Sequence, residues 1–175
     1  MKLLQNAASK KAALGGNMLV IDPSSGGSSK KGEKSEAGFA VFEEGKLVKS
    51  GTVEYPTEKV VFKRLKNIKG VWENNLHLYD LFVLEDIRGY RAQQSLIQSC
   101  GVYIATIRFN EFFQLNVKTW KSIAKLWGGY VKSDENDAIY MGYATIAIAL
   151  GYHSKLKAAD REVIINKAKE VTGYE

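Results

Sequence analysis

The chain has 175 residues, 45% of them hydrophobic, and a formal net charge of +6. That length suits a single domain with a real core, and the positive balance suits a polyanionic partner without singling one out. One cysteine, Cys100, and two histidines, His77 and His153, exclude a disulfide framework and a Cys-rich zinc site, so any metal here is a hard cation on oxygen ligands, such as Mg²⁺ or Mn²⁺.

No apolar run reaches the roughly 18 residues that a bilayer span needs, and Gln5 and Asn6 interrupt the opening leucines where a secretory h-region would continue. No membrane partner is expected. Residues 1–17 carry Lys2, Lys10 and Lys11 with no acid, and read as a basic tail able to touch nucleic acid. Met18 to Asp22 (MLVID) is then a short apolar run ending in a carboxylate. It reads as the central strand of a sheet, with Asp22 at the strand end, where α/β enzymes place their chemistry.

Residues 23–36 are rich in Gly, Ser and Lys, including Lys30 and Lys31, and lack the apolar content to pack. They are expected to form a mobile basic loop. Gly38–Phe42 and Lys46–Tyr55 flank a turn with Gly45 and complete an antiparallel meander with the first strand. From Lys59 to Tyr79, apolar residues at 61, 65, 68, 72, 76 and 79 recur at helical spacing, while Lys59, Lys63 and Lys66 line a solvated face. His77, near the end of that helix, is read as structural because no second ligand lies at metal spacing.

Asp80 to Ile87 (DLFVLEDI) is a compact apolar run, expected as a buried strand parallel to the first across a helical crossover. Glu85 and Asp86 end it, and alternation lets only one of them face the side that Asp22 faces. Arg88, Tyr90 and Arg91 fall in the following loop. From Ala92 to Ile107 a second helix presents Ser99, Cys100 and Gly101, small residues suited to close packing against the sheet, another helix or a second copy. Cys100 is read as a packing residue. Phe109–Leu115 is a further strand, and Asn116 a fitting N-cap for a helix over Val117–Leu126 with Lys118, Lys121 and Lys125 along one side.

After the break at Gly128 and Gly129, Ser133 or Asp134 can cap the last core helix, leaving Asp134 and Asp137 on one face of its first turn. Taken alone, such acids simply complement the helix dipole. The segment 153–175 holds an amphipathic stretch around Val163, Ile164, Ala168 and Val171, expected to dock on the core or on a partner. Asp22, Glu85, Asp134 and Asp137 thus all stand at ends of predicted elements. Gathering like charges is unfavourable unless divalent cations neutralise them, and two such cations suit in-line hydrolysis of a phosphodiester.

IDP at 21–23, GFAVF at 38–42, VLEDI around Glu85, QSCGV at 98–102, NVKTWK around Lys118 and DENDAI at 134–139 follow in an order that resembles the RuvC-like Holliday junction resolvases of the ribonuclease H-like superfamily. The resemblance implies an α/β ribonuclease H-like fold: a mixed five-stranded sheet, three antiparallel then two parallel strands, flanked by helices. It divides the chain into a basic tail (1–17), a nuclease domain (18–152) and a C-terminal amphipathic segment (153–175). It makes Asp22, Glu85, Asp134 and Asp137 catalytic acids holding two Mg²⁺ ions, with Mn²⁺ as substitute, and puts Lys118 on the scissile phosphate. It implies a homodimer that nicks a four-way DNA junction in pairs, leaving 5′-phosphate and 3′-hydroxyl ends, in the cytoplasm of a bacterium or phage-infected host or in an organelle.

Lys30, Lys31, Arg88, Tyr90, Arg91, Lys118 and Lys121 are the expected DNA contacts. Arg88 stands where the bacterial enzyme has an aromatic, so Tyr90 is the residue left to stack as a wedge at the junction, and the pattern leans toward phage or organellar relatives. Two other readings remain at this stage: a ribonuclease H-like nuclease acting on RNA or RNA:DNA hybrid, and a non-catalytic junction binder.

Overall fold

The computed structural model describes residues 6–23, 35–56, 58–87 and 94–174. Strands β1 (Asn17–Asp22), β2 (Ser35–Glu43), β3 (Lys46–Tyr55), β4 (Leu78–Asp86) and β5 (Arg108–Asn116) form one sheet in the order β3-β2-β1-β4-β5. β2 pairs antiparallel with both β1 and β3. β4 pairs parallel with β1 and β5. This is the expected mixed sheet. β1 is central because Met18, Leu19, Val20 and Ile21 are all buried, and a run apolar on both faces is stable only where both are covered.

Alternation along the strands divides the core in two. Met18 and Val20, with Leu81 and Val83, face a layer made by α1 (Ala7–Gly15), α4 (Val117–Trp127), α5 (Asp134–Ala149) and α6 (Ala158–Thr172). Leu19, Ile21, Phe82 and Leu84 face α2 (Val61–Trp72) and α3 (Gln94–Thr106). On that second side Trp72 Nε1 donates to the Tyr55 hydroxyl at 2.8 Å, and the Tyr103 hydroxyl donates to it at 3.1 Å, which ties both helices to β3.

Nearly all of α5 beyond its first turn is buried, as a helix apolar on every side must be. It lies on β1 and β2 and is itself covered by α1, α4 and α6. Gly142 allows this approach, since a Cβ there would stand 2.1 Å from the Phe42 ring. Among the described residues, no helix is long and apolar enough to cross a membrane.

Three local expectations are corrected. Residues 7–15 form a helix instead of a continuous basic tail: the Asn6 side chain accepts from the Ala8 N–H at 2.9 Å, and Ala12 and Ala13 are buried. Alanine favours the helix intrinsically, and docking retains it. The helix expected through Tyr79 stops at Trp72, because Asn75 accepts from the His77 N–H at 3.2 Å and turns the chain into β4. His77 therefore lies off the helix, its ring 4.6 Å from that of Tyr79. Ser99 and Cys100 are buried as expected, and Gly101 is exposed, with nothing among the described residues within 4 Å of a methyl group added there. The C-terminal segment docks on the core through Ile165 and Ala168 of α6.

Candidate active site at the sheet edge

The register places one functional edge. Asp22 pairs with Gly38, Ser35 with Tyr55, and Asp86 with Asn116, so β1, β3, β4 and β5 end where β2 begins. Helices α2, α4 and α5 begin at this same edge. Alternation turns Asp22 to the α5 side with Val20, and Glu85 to the same side with Val83. Glu85, and not Asp86, is therefore the acid that shares a side with Asp22.

The amino end of α5 meets this edge at Gly38. A Cβ on Gly38 would lie 2.8 Å from the Glu135 nitrogen and closer still to the Asp134 carbonyl. Ser133, one of the two expected caps, accepts from the Asn136 N–H at 3.1 Å. Ser50 donates to Glu135 at 2.6 Å, tying this acid back to β3. Asp137 is buried and accepts a 2.5 Å hydrogen bond from the Tyr130 hydroxyl. Glu85 accepts from Trp120 Nε1 at 2.9 Å. The two aromatic donors touch edge to face, with centroids 6.1 Å apart.

The acids act on one another. Burial first, then the charges of Glu85, Asp137 and Asp134, hold the Asp22 carboxyl well above the usual carboxylate range, with Lys121 partly offsetting them. Glu85 is raised by burial and by Asp137 and Asp86, against the Trp120 hydrogen bond and Lys121. Partial burial, Glu36 and Asp137 raise Asp134, against Lys132. Behind the edge, burial and then Glu85 and Asp22 push the buried Cys100 thiol up to about 12, which suits an inert packing residue.

Of the four sequence-predicted acids, Glu85, Asp134 and Asp137 thus all act on Asp22, and Asp137 acts on the other three. Lys118 is exposed in the first turn of α4, where its N–H donates to the Asn116 side chain at 3.0 Å. Lys121, one turn further, is the cation whose field reaches both Asp22 and Glu85, and its Nζ lies 5.1 Å from the Trp120 ring centroid. Lys30, Lys31, Arg88, Tyr90 and Arg91 lie outside the described residues. Sequence reasoning missed Trp120, Tyr130 and Glu36. Trp120 stood inside a quoted motif, while Tyr130 and Glu36 carried no local signal.

An all-oxygen donor set whose charges repel one another suits a hard divalent cation chemically. As they stand, however, no three Asp, Glu, His or Cys side chains among the described residues are grouped to hold one ion. Glu85 is engaged by Trp120 and Asp137 by Tyr130.

No protein-family model matches this chain, and no curated protein matches its sequence. Its fold matches that of Thermus thermophilus RuvC in complex with a Holliday junction substrate, with a TM-score of 0.52 at 14% identity over 75% of this chain and 92% of that one. A second Thermus thermophilus RuvC structure matches with a TM-score of 0.51 at 13% identity, over 75% of this chain and 93% of that one. The chain has the ribonuclease H-like fold.

Proposed function

We propose that this protein is a metal-dependent, structure-selective endonuclease that cuts four-way DNA junctions and related branches. The observation that carries the reading is the half-buried Asp22 at the end of the central strand, with Glu85, Asp134 and Asp137 in its field. A fold shared with a RuvC captured on a Holliday junction supports it. Asp22, Glu85, Asp134 and Asp137 would hold two Mg²⁺ ions, with Mn²⁺ as substitute. When bound, such ions supply an activated water and stabilise charge on the phosphate. Trp120 and Tyr130 restrict the carboxylates of Glu85 and Asp137 to few orientations, as outer-shell donors do. Lys121 tempers the repulsion between Asp22 and Glu85, and with Lys118 brings positive charge to the place where a phosphate would lie.

On this reading residues 18–152 are the nuclease domain, and a homodimer makes the paired nicks that leave 5′-phosphate and 3′-hydroxyl ends. Lys30, Lys31, Arg88, Tyr90 and Arg91 supply further DNA contacts. Cleavage in Mg²⁺ of a four-way junction, a flap and an RNA:DNA hybrid of matched length tests it. Preference for the junction is expected. Preference for the hybrid would overturn the reading, and tight junction binding without nicks in Mg²⁺ or Mn²⁺ would make the protein a binder.

A further inference from the structure

We propose that the amino end of α2, with Arg64 in its second turn, is a binding site for a backbone phosphate of the nucleic acid, separate from the acid cluster. The proposal rests on the nuclease reading. Arg64 is only 7% exposed, and its Nε and Nη2 have no hydrogen-bond partner among the described residues. Those two nitrogens form one edge of the guanidinium, the edge that takes two oxygens of a phosphate or carboxylate side by side. A buried charge with an empty donor edge is strongly unfavourable, so the position calls for an oxyanion. Glu58, the acid nearest in sequence, does not fill that edge.

The helix end offers a second, independent feature. A long helical side chain leans over the turn that precedes its own Cα, and for Arg64 that turn is the first of α2. That turn has no side-chain cap at Val60 and no acid. The Arg64 N–H makes the helical bond to the Val60 carbonyl at 3.1 Å, so the N–H groups of Val61, Phe62 and Lys63 precede it and lack helical acceptors. Lys59, Lys63 and Lys66 are exposed around the same end. Several positive charges about one buried fork suit a polyanion strand better than a lone carboxylate from another protein.

The place in the fold also fits. β3 ends at Tyr55 beside Ser35, three residues before the Gly38 that pairs with Asp22, so α2 starts at the edge that carries the acids. It lies on the opposite side of the sheet from α5. A strand held by the acids on one side could continue over this edge to Arg64 on the other. Because the two nitrogens are shielded, neighbouring side chains shift as the phosphate enters, as interface side chains commonly do.

The test is binding of a four-way junction in EDTA, so that no cleavage occurs, as a function of salt, for the wild type, Arg64→Met and Arg64→Lys, with sedimentation of each. Arg64→Met should weaken binding by about tenfold and lower the log–log salt slope by about 1. Arg64→Lys keeps the charge and the fold but not the fork, so it should keep the slope and fall between the two in affinity. Wild-type binding by both variants would overturn the inference while leaving the nuclease reading intact. So would a shift of Arg64→Met from dimer to monomer with unchanged junction affinity per protomer, since the fork would then serve a second copy. Failure of the wild type to bind any junction would sink the nuclease reading itself, and this inference with it.

Discussion

The backbone of Asp134 presses on Gly38 so closely that a methyl group on Gly38 would stand 1.7 Å from the Asp134 carbonyl oxygen. Gly38 is also the register partner of Asp22. One absent side chain therefore sets how near the first turn of the central helix comes to the acid at the end of the central strand.

Gly38→Ala forces backbone from backbone, and no flexible side chain is there to yield. We expect a loss of about 3 kcal/mol in denaturant unfolding, at the upper end for overpacking, together with a large loss of cleavage. Gly70→Ala in α2 is the control: nothing lies within 4 Å of its Cβ position, and relief of the glycine helix penalty should add up to about 1 kcal/mol. A Gly38→Ala protein as stable as the wild type would refute the packing argument.

Asp22→Asn tests the electrostatics of the site. The Asp22 carboxyl is raised in the folded state, so the stability it contributes is complete below the unfolded carboxylate value and is lost as pH rises through the folded value. Above the unfolded carboxylate value the Asp22 carboxyl is thus a cost, whether it holds its proton or gives it up. The metal-free variant should melt above the wild type at pH 7, by roughly 2–4 °C for each 1 kcal/mol gained. The difference should shrink as pH falls through that raised range. Mg²⁺ should raise the melting temperature of the wild type more than that of the variant.

Asp137→Asn removes one charge while leaving an oxygen to accept from Tyr130. Cleavage of a four-way junction in Mg²⁺ should drop on the order of a thousandfold with an unchanged circular dichroism spectrum. Full activity would remove Asp137 from the catalytic set.

Trp120→Phe and Tyr130→Phe keep their rings against one another and delete the donors to Glu85 and Asp137. Each should raise the Mg²⁺ concentration for half-maximal cleavage by about tenfold, the usual effect of losing an outer-shell partner. An unchanged Mg²⁺ requirement would mean that these rings only pack.

Lys121→Met should lower the cleavage rate by about 10-fold to 100-fold and should do so more than Lys118→Met. Lys121 reaches Asp22 and Glu85 electrostatically, whereas Lys118 is exposed in the first turn. The reverse order would return the leading role to Lys118.

What the sequence determined by itself is local in origin. The apolar run Met18–Ile21, the span Lys46–Tyr55 and the Asn116 cap all follow from residue type and spacing within one element, and the helix start at Ser133 or Asp134 does too, with Ser133 left for the structure to choose. The kinds of acid and their places at element ends were equally legible, and alternation already required that only one of Glu85 and Asp86 face the site. The same local signals misled where a contact from elsewhere decided. Leu76 and Tyr79 continued a helical spacing that the turn at Asn75 ends, and the lysines of residues 1–17 concealed a helix held by burial of Ala12 and Ala13.

Tertiary structure alone seated Tyr130 on Asp137 and Trp120 on Glu85, let Glu36 act on Asp134, and brought Lys121 within electrostatic reach of Asp22. Each of these depends on how a helix is rotated about its axis and how closely it approaches the sheet. Those quantities are set by packing between distant segments, above all the missing side chain at Gly38, and no residue pattern within a single element encodes them.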